Sequence, residues 1–197
     1  MLERSHEIAL VVSASDALVE ATVVRDTVPQ PVALAGGRGI HVQLSNLGAS
    51  FDAAARASAA VVGSLVERSH DVSLFAVGSE IVVDRTVVRS TSPRAFDGFF
   101  GDGVVVISDT APAQGAITNS VIGDSTRAGL ANFGAAVSLR STHLQCAGYE
   151  LEGEPFDGLD FHFDDQGGNG CGCPEAKGTC VVESAGLEPP APAAPTQ

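Results

Sequence analysis

The stretch after Arg89 holds the densest group of residues able to do chemistry: Arg89, Arg94, Asp97, Phe99, Phe100 and Asp102. Aromatic rings beside Arg and Asp suit sugar recognition, because rings stack on the apolar faces of a sugar while polar groups take its hydroxyls. This loop is the expected ligand-binding site, with a polysaccharide as its expected partner. The competing reading is that its Phe residues simply cover an open side of the fold. Glycoside hydrolysis is the rival chemistry. An inverting hydrolase needs two carboxylates about 6.5–9.5 Å apart. Asp97 and Asp102, with Arg89 and Arg94, are the compact set available, but they form no recognisable catalytic signature, and no catalytic residue is assigned.

Other candidate chemistry is weaker. Asp157, Asp160, Asp164 and Asp165, followed by Gly167-Gly168-Asn169, could bind Ca²⁺. The spacing is neither an EF-hand loop nor a Gly-Gly-x-Gly-x-Asp repeat, so a solvated acidic turn with Leu159, Phe161 and Phe163 facing inward is expected. No cofactor is expected; Ca²⁺ is the one ion that turn could take. His6 and His70 occupy equivalent places in a repeat, which explains the pair without a metal, and His41 and His162 fall at outward phases of strands. No Gly-x-Ser-x-Gly elbow occurs, and Gly36-Gly37-Arg38-Gly39 lacks the Lys of a phosphate loop.

Four cysteines, Cys146, Cys171, Cys173 and Cys180, all fall late in the chain. Cys171 and Cys173 are too close for an easy mutual bridge. The expected pattern joins one of them to Cys146 and the other to Cys180, pinning a cap onto the last rung; free thiols and a metal are the lesser alternatives. Disulfides would imply an oxidising compartment. The net charge of −13 divides into −4 for residues 1–149 and −9 for the remainder. An acidic chain repels phosphate backbones, so nucleic acid is not an expected partner. No apolar run is long enough to span a membrane.

These residues are positioned by a repeat. Glu3-Arg4-Ser5-His6 recurs as Glu67-Arg68-Ser69-His70, Thr22-Val23-Val24-Arg25 as Thr86-Val87-Val88-Arg89, and Gly37-Arg38-Gly39-Ile40 as Gly101-Asp102-Gly103-Val104, each 64 residues on. Within that unit one strand phrase begins at Ile8, Ile40, Val72, Val104 and Ala128, and Leu159–Phe163 fits as a sixth member. A second phrase aligns Val19–Val24 with Val61–Val66, Val83–Val88, Ile117–Ile122 and Leu139–Leu144. Its columns read Thr22, Ser64, Thr86, Ser120, Thr142 and Val24, Val66, Val88, Ile122, Leu144. Like residues in columns are what stacked rungs produce, since equivalent side chains then lie about 4.8 Å apart. Residues 43–60 and 107–116 read as loop insertions, with a helical turn or two at Phe51–Ala57. Arg25 and Arg89 each precede a proline-bearing loop.

The expectation is an all-β, right-handed parallel β-helix of about five to six rungs: rungs over 1–148, a last rung and acidic, Cys-bearing cap over 149–188, and a disordered Pro/Ala tail over 189–197. The phrases Gly63-Ser64-Leu65-Val66-Glu67-Arg68-Ser69-His70-Asp71-Val72 and Val83-Asp84-Arg85-Thr86-Val87-Val88-Arg89 resemble right-handed parallel β-helix repeat proteins of a type common in myxobacteria. The resemblance implies a fold and an envelope or secreted setting, not an activity; the wider β-helix class includes pectate lyases, polygalacturonases and phage tailspikes. Met1 falls inside a strand phrase, and no secretion signal opens the chain. An open solenoid end exposes apolar core. The chain is therefore expected to be part of a longer, extracytoplasmic protein, the alternative being end-to-end self-association through the uncapped first rung. Function is expected to be that of a non-enzymatic scaffold or glycan-binding surface, with a polysaccharide lyase or glycoside hydrolase as the alternative.

Overall fold

The computed structural model describes residues 1–45, 55–176 and 178–193. Short apolar stretches separated by tight bends build three parallel sheets. Sheet 1 stacks Leu2–Glu3, Val23–Arg25, Leu65–Glu67, Val87–Thr91, Val121–Ser125, His143–Gln145 and Gly170–Cys171. Sheet 2 stacks Ile8–Ser13, Arg38–Gln43, Val72–Val77, Asp102–Ile107, Ala128–Phe133, Tyr149–Glu154 and Val182–Glu183. Sheet 3 stacks Asp16–Glu20, Ser58–Val62, Glu80–Asp84, Gln114–Thr118, Ala136–Arg140 and His162–Asp165. The chain visits sheets 2, 3 and 1 in turn, and six such coils follow one another among the described residues. This is the expected parallel β-helix, with its cysteines at the C-terminal end.

The rung has three strands rather than two. The second phrase is really two strands, one in sheet 3 and one in sheet 1, with a corner between them. Its register is as the columns predict: Val19, Val61, Val83, Ile117 and Leu139 pair in sheet 3, and Val24, Val66, Val88, Ile122 and Leu144 pair in sheet 1. The corner explains the hydroxyl column. Ala21, Gly63, Arg85, Asn119 and Ser141 sit there with positive φ, a conformation that disfavours L side chains. The next residue repairs the turn with its hydroxyl. Thr22 N donates to Ser64 Oγ at 3.1 Å, Ser64 N to Thr86 Oγ1 at 3.2 Å and Thr86 N to Ser120 Oγ at 3.1 Å. Asn169 ends the ladder, accepting from Thr142 N at 3.0 Å.

Sheet 2 departs from the sequence alignment. Ile40 pairs with Leu10 and Leu74, and Val104 with Leu74 and Leu130, so each expected pairing is displaced by two residues. A slip of two preserves which side chains face in, and hydrophobic pattern alone cannot detect it. The sixth strand of sheet 2 is Tyr149–Glu154, whereas His162–Asp165 belongs to sheet 3. The insertion at 43–60 falls in part on residues 46–54, and the helical turn expected at Phe51–Ala57 lies mostly outside the described residues.

Aliphatic columns fill the interior: Ile40, Leu74, Val104 and Leu130 from sheet 2 meet Val61, Val83 and Ile117 from sheet 3 and Val66, Val88 and Ile122 from sheet 1. The outer face of sheet 1 explains why the sequence repeats every second coil. Glu3, Arg25, Glu67 and Arg89 are stacked neighbours, so charge alternates from coil to coil. Arg25 Nη2 lies 2.9 Å from Glu3 Oε1, and Arg89 Nη2 lies 2.7 Å from Glu67 Oε2. Arg68 adds bonds to Asp26 and Glu67. Like charges stacked directly would repel, so like recurs only after two coils.

Candidate binding cleft

The loop between Thr91 and Asp102 is tied to itself. Arg94 N donates to Phe99 O at 2.8 Å and Gly98 N to Arg94 O at 2.9 Å. Arg94 Nε donates to Asp97 Oδ1 at 3.2 Å, and Phe99 N donates to the same oxygen at 3.0 Å. Desolvation would raise the Asp97 pKa; the bonds from Arg94 and from Phe99 N outweigh it and hold the carboxyl below its usual range. Phe100 lies between two guanidinium groups, with Arg94 4.2 Å and Arg127 4.6 Å from its ring centroid. Phe99 is 64% exposed.

Asp102 sits at the foot of this loop and is fully buried. Arg127 grips it with Nε to Oδ1 at 2.8 Å and Nη2 to Oδ2, and Ala128 N donates to Oδ1 at 3.1 Å. Burial pushes the Asp102 carboxyl up, against the pull of Arg127. Of the six expected site residues, the structure brings Arg94, Asp97, Phe99 and Phe100 into one loop and joins Asp102 to them through Arg127. Arg89 is elsewhere, on the outer face of sheet 1, bonded to Glu67 through Nε and Nη2.

Beside the loop lies a cleft of about 570 Å³, lined by Pro93, Phe99, Phe100, Thr126, Arg127, Tyr149, Leu187 and Glu188 among others. Arg127, Tyr149, Leu187 and Glu188 are lining residues that sequence reasoning missed. Arg127 and Tyr149 enter because Ala128 stacks on Tyr149 in sheet 2; no local motif marks either. A second concavity, about 370 Å³, runs over the outer face of sheet 3 on Ala116, Ala136 and Ser138, with Glu80, His162 and Asp164 at its margin. It has no Phe or Tyr ring and none of the residues expected to bind a saccharide.

Leu187 and Glu188 reach the cleft because the C-terminal segment turns back over the outer face of sheet 2. The middle of that face is apolar: Phe75, Val77, Val105, Ile107, Ala131 and Phe133 are all buried, and Leu187 packs against this cluster, while the buried polar residues His41, Gln43 and Glu152 flank it in the neighbouring strands. Glu154 anchors the start of the segment, accepting from Ser184 Oγ at 2.9 Å, from Leu187 N at 3.3 Å and from Gly186 N. Further on, Arg127 Nη1 donates to Glu188 O at 2.9 Å and Arg38 Nη2 to Ala191 O at 2.7 Å. Pro190 is buried. Composition reads residues from 189 onward as a free tail; those up to 193 carry these contacts, and 194–197 lie outside the described residues.

Two buried groups below this segment titrate unusually. Glu152 is fully buried; desolvation first, and then Glu154, push its carboxyl up to about 8. Desolvation would also raise Glu154, but the neighbouring Glu152 and the bonds from Ser184 and the backbone of Gly186 and Leu187 prevail and lower it. His41 is buried against Phe75, with ring centroids 4.8 Å apart. Its expected outward phase is correct, but the face is covered. Burial, and then Arg38, hold its pKa well below the usual value.

The cysteines pair as Cys146–Cys173 and Cys171–Cys180, the expected pattern. In the acidic turn, Asp165 Oδ1 accepts from Gly167 N at 2.9 Å and from Asn169 Nδ2 at 2.6 Å, and Asp164 from Gln166. Among the described residues no group of three or more His, Cys, Asp or Glu is placed to hold a metal ion. His6 and His70 each turn Nδ1 to a loop carbonyl, of Pro29 and Thr27. No described helix is long and apolar enough to cross a membrane. The fold and cleft define a disulfide-bonded parallel β-solenoid with an aromatic, arginine-lined surface site. Comparison with protein-family models finds no match, and comparisons with curated proteins and with solved structures find none either.

Proposed function

We propose that the protein is a non-enzymatic β-helical scaffold of an extracytoplasmic setting, akin to the myxobacterial repeat type, whose cleft beside Phe99 binds a saccharide. The observation that carries the reading is the exposed Phe99 ring at the mouth of a cleft that also holds Tyr149 and Arg127. A ring face flanked by hydrogen-bonding groups is the chemistry a sugar needs. The ion pairs favour binding over hydrolysis. Asp97 and Asp102 are each held by an arginine, and neither is free to activate water. The two disulfides support an oxidising setting.

A panel of immobilised polysaccharides tests the idea. Binding by the full chain, lost on Phe99→Ala, is expected. No binding to any polysaccharide would refute it, and release of reducing ends that disappears with Asp97→Asn would assign an enzyme instead.

A further inference from the structure

We propose that the outer face of sheet 2 is a docking groove for a proline-rich, extended segment of a partner protein, and that the chain's own Leu187–Ala193 fills it as a displaceable occupant. The present occupant, Leu187-Glu188-Pro189-Pro190-Ala191-Pro192-Ala193, shows what chemistry fits. Its hold is through main-chain carbonyls of Glu188 and Ala191, taken by Arg127 and Arg38. Those carbonyls are three residues apart, the repeat of a polyproline II helix, which returns every third residue to the same side. Proline brings no N–H, so no backbone donor is left unmatched where the segment crosses the apolar patch of Phe75, Val105 and Phe133. A chain rich in proline is also already extended, so it loses less freedom on docking.

The two arginine donors do not depend on the occupant for their placement. Arg127 is fixed by Asp102 and by the Phe100 ring at 4.6 Å. Arg38 is fixed by Asp71, with Nε to Oδ2 at 2.6 Å, and by the Phe75 ring, also at 4.6 Å. Two preset guanidinium groups that read backbone spacing rather than side chains accept any segment of the right conformation. The resident segment is also an incomplete ligand. His41, beside Arg38, is fully buried, and among the described residues its Nε2 has no hydrogen-bond partner. A partner residue with a hydroxyl or amide would complete it. Ala185 and Gly186, just before the occupant, are exposed, and Gly186 has positive φ, so the segment can lift beyond the Val182–Glu183 strand once Glu154 releases Gly186 and Leu187.

The test uses the full chain. The double variant Leu187→Asp/Pro190→Asp empties the groove while leaving its walls intact. Three fluorescent peptides are titrated by anisotropy: the chain's own segment, an unrelated proline-rich sequence carrying Ser and Thr, and the latter with Gly for Pro. The variant is expected to bind both proline peptides at least tenfold more tightly than the native chain, where the tethered segment competes at about millimolar effective concentration. Glycine replacement, or Arg127→Lys in the same background, is expected to cost at least tenfold. Equal affinity of variant and native chain, or indifference to glycine, overturns the proposal. Binding of the chain's own segment alone, with dimers on size exclusion, also overturns it and gives the groove to a second copy. If the double variant fails to fold, hydrogen exchange of the native chain decides. Faster exchange at the Leu187 amide, which donates to Glu154, under excess unrelated peptide supports displacement, and unchanged exchange overturns it. Phe99→Ala should leave peptide binding intact, which separates this result from the saccharide reading.

Discussion

Phe99 and Phe100 are adjacent in sequence, yet they face different demands. Phe100 is clamped between Arg94 and Arg127, so Phe100→Ala should lower stability by about 1–3 kcal/mol through lost packing and cation–π attraction. Phe99 is largely exposed, so Phe99→Ala should leave the melting temperature nearly unchanged while removing saccharide binding. Thermal melts of the two variants beside binding curves check the split. Glu152 makes a second claim at this scale. Its carboxyl has an ordinary value of 4.5 and is pushed to about 8 in the fold. A raised acid contributes stability that is complete below 4.5 and is lost as pH rises through about 8. His41, held neutral, has the opposite sign, but its contribution is complete once pH passes its ordinary value of 6.5. Between about pH 6.5 and 8 Glu152 should therefore contribute a fall approaching about 1.4 kcal/mol per pH unit, beside that of Asp102, whose carboxyl burial also raises. Urea melts across that window should show the fall in the native chain and a shallower one in Glu152→Gln, where the raised Asp102 remains.

At the scale of the element, the corner between sheets 3 and 1 is the recurrent device. Each coil spends a strained left-handed residue to turn, and the following hydroxyl supplies an acceptor for the backbone N–H stacked beside it. Thr86→Val keeps shape and β preference but removes the acceptor for Ser64 N and the donor to Val61 O and Asp84 O. A buried N–H left unmatched should cost about 1–3 kcal/mol. Chemical denaturation of Thr86→Val against Thr86→Ser checks it, since serine retains the hydroxyl and should remain within about 1 kcal/mol of the native chain. The column was visible in sequence as an alternation of Thr and Ser. Its purpose was not, because a hydrogen bond between residues 22 to 42 positions apart leaves no local trace.

For the whole molecule, each coil touches mainly its neighbours, so stability is close to a sum along one axis. The two disulfides span 27 and 9 residues near one end, and each should contribute on the order of 2–4 kcal/mol. Reduction should loosen the last coil first and leave the middle coils folded. Hydrogen exchange should then rise over 149–183 with little change across Val72–Val77 and Asp102–Ile107. A uniform rise over all coils would mean the stack is cooperative from end to end. The C-terminal segment is the other feature of this scale: it runs back along the stack and covers a face that would otherwise expose Phe75, Val105 and Phe133.

The sequence by itself determined the stack. Columns of valine and of hydroxyls repeat at coil spacing, and these predicted the register of five coils to the residue, as one strand phrase where the fold has two strands, along with the cysteine pairing pattern. It also marked the loop of Arg94, Asp97, Phe99 and Phe100, because these residues are neighbours in the chain. Only the tertiary structure decided the register of sheet 2, where a slip of two residues leaves the inward pattern unchanged. Only it separated Arg89 from the loop, since consecutive strands of one coil face different directions. And only it brought Arg38, Arg127, Glu188 and Ala191 together: residues up to 153 positions apart meet because stacking lines up the coils and the C-terminal segment then runs back along them.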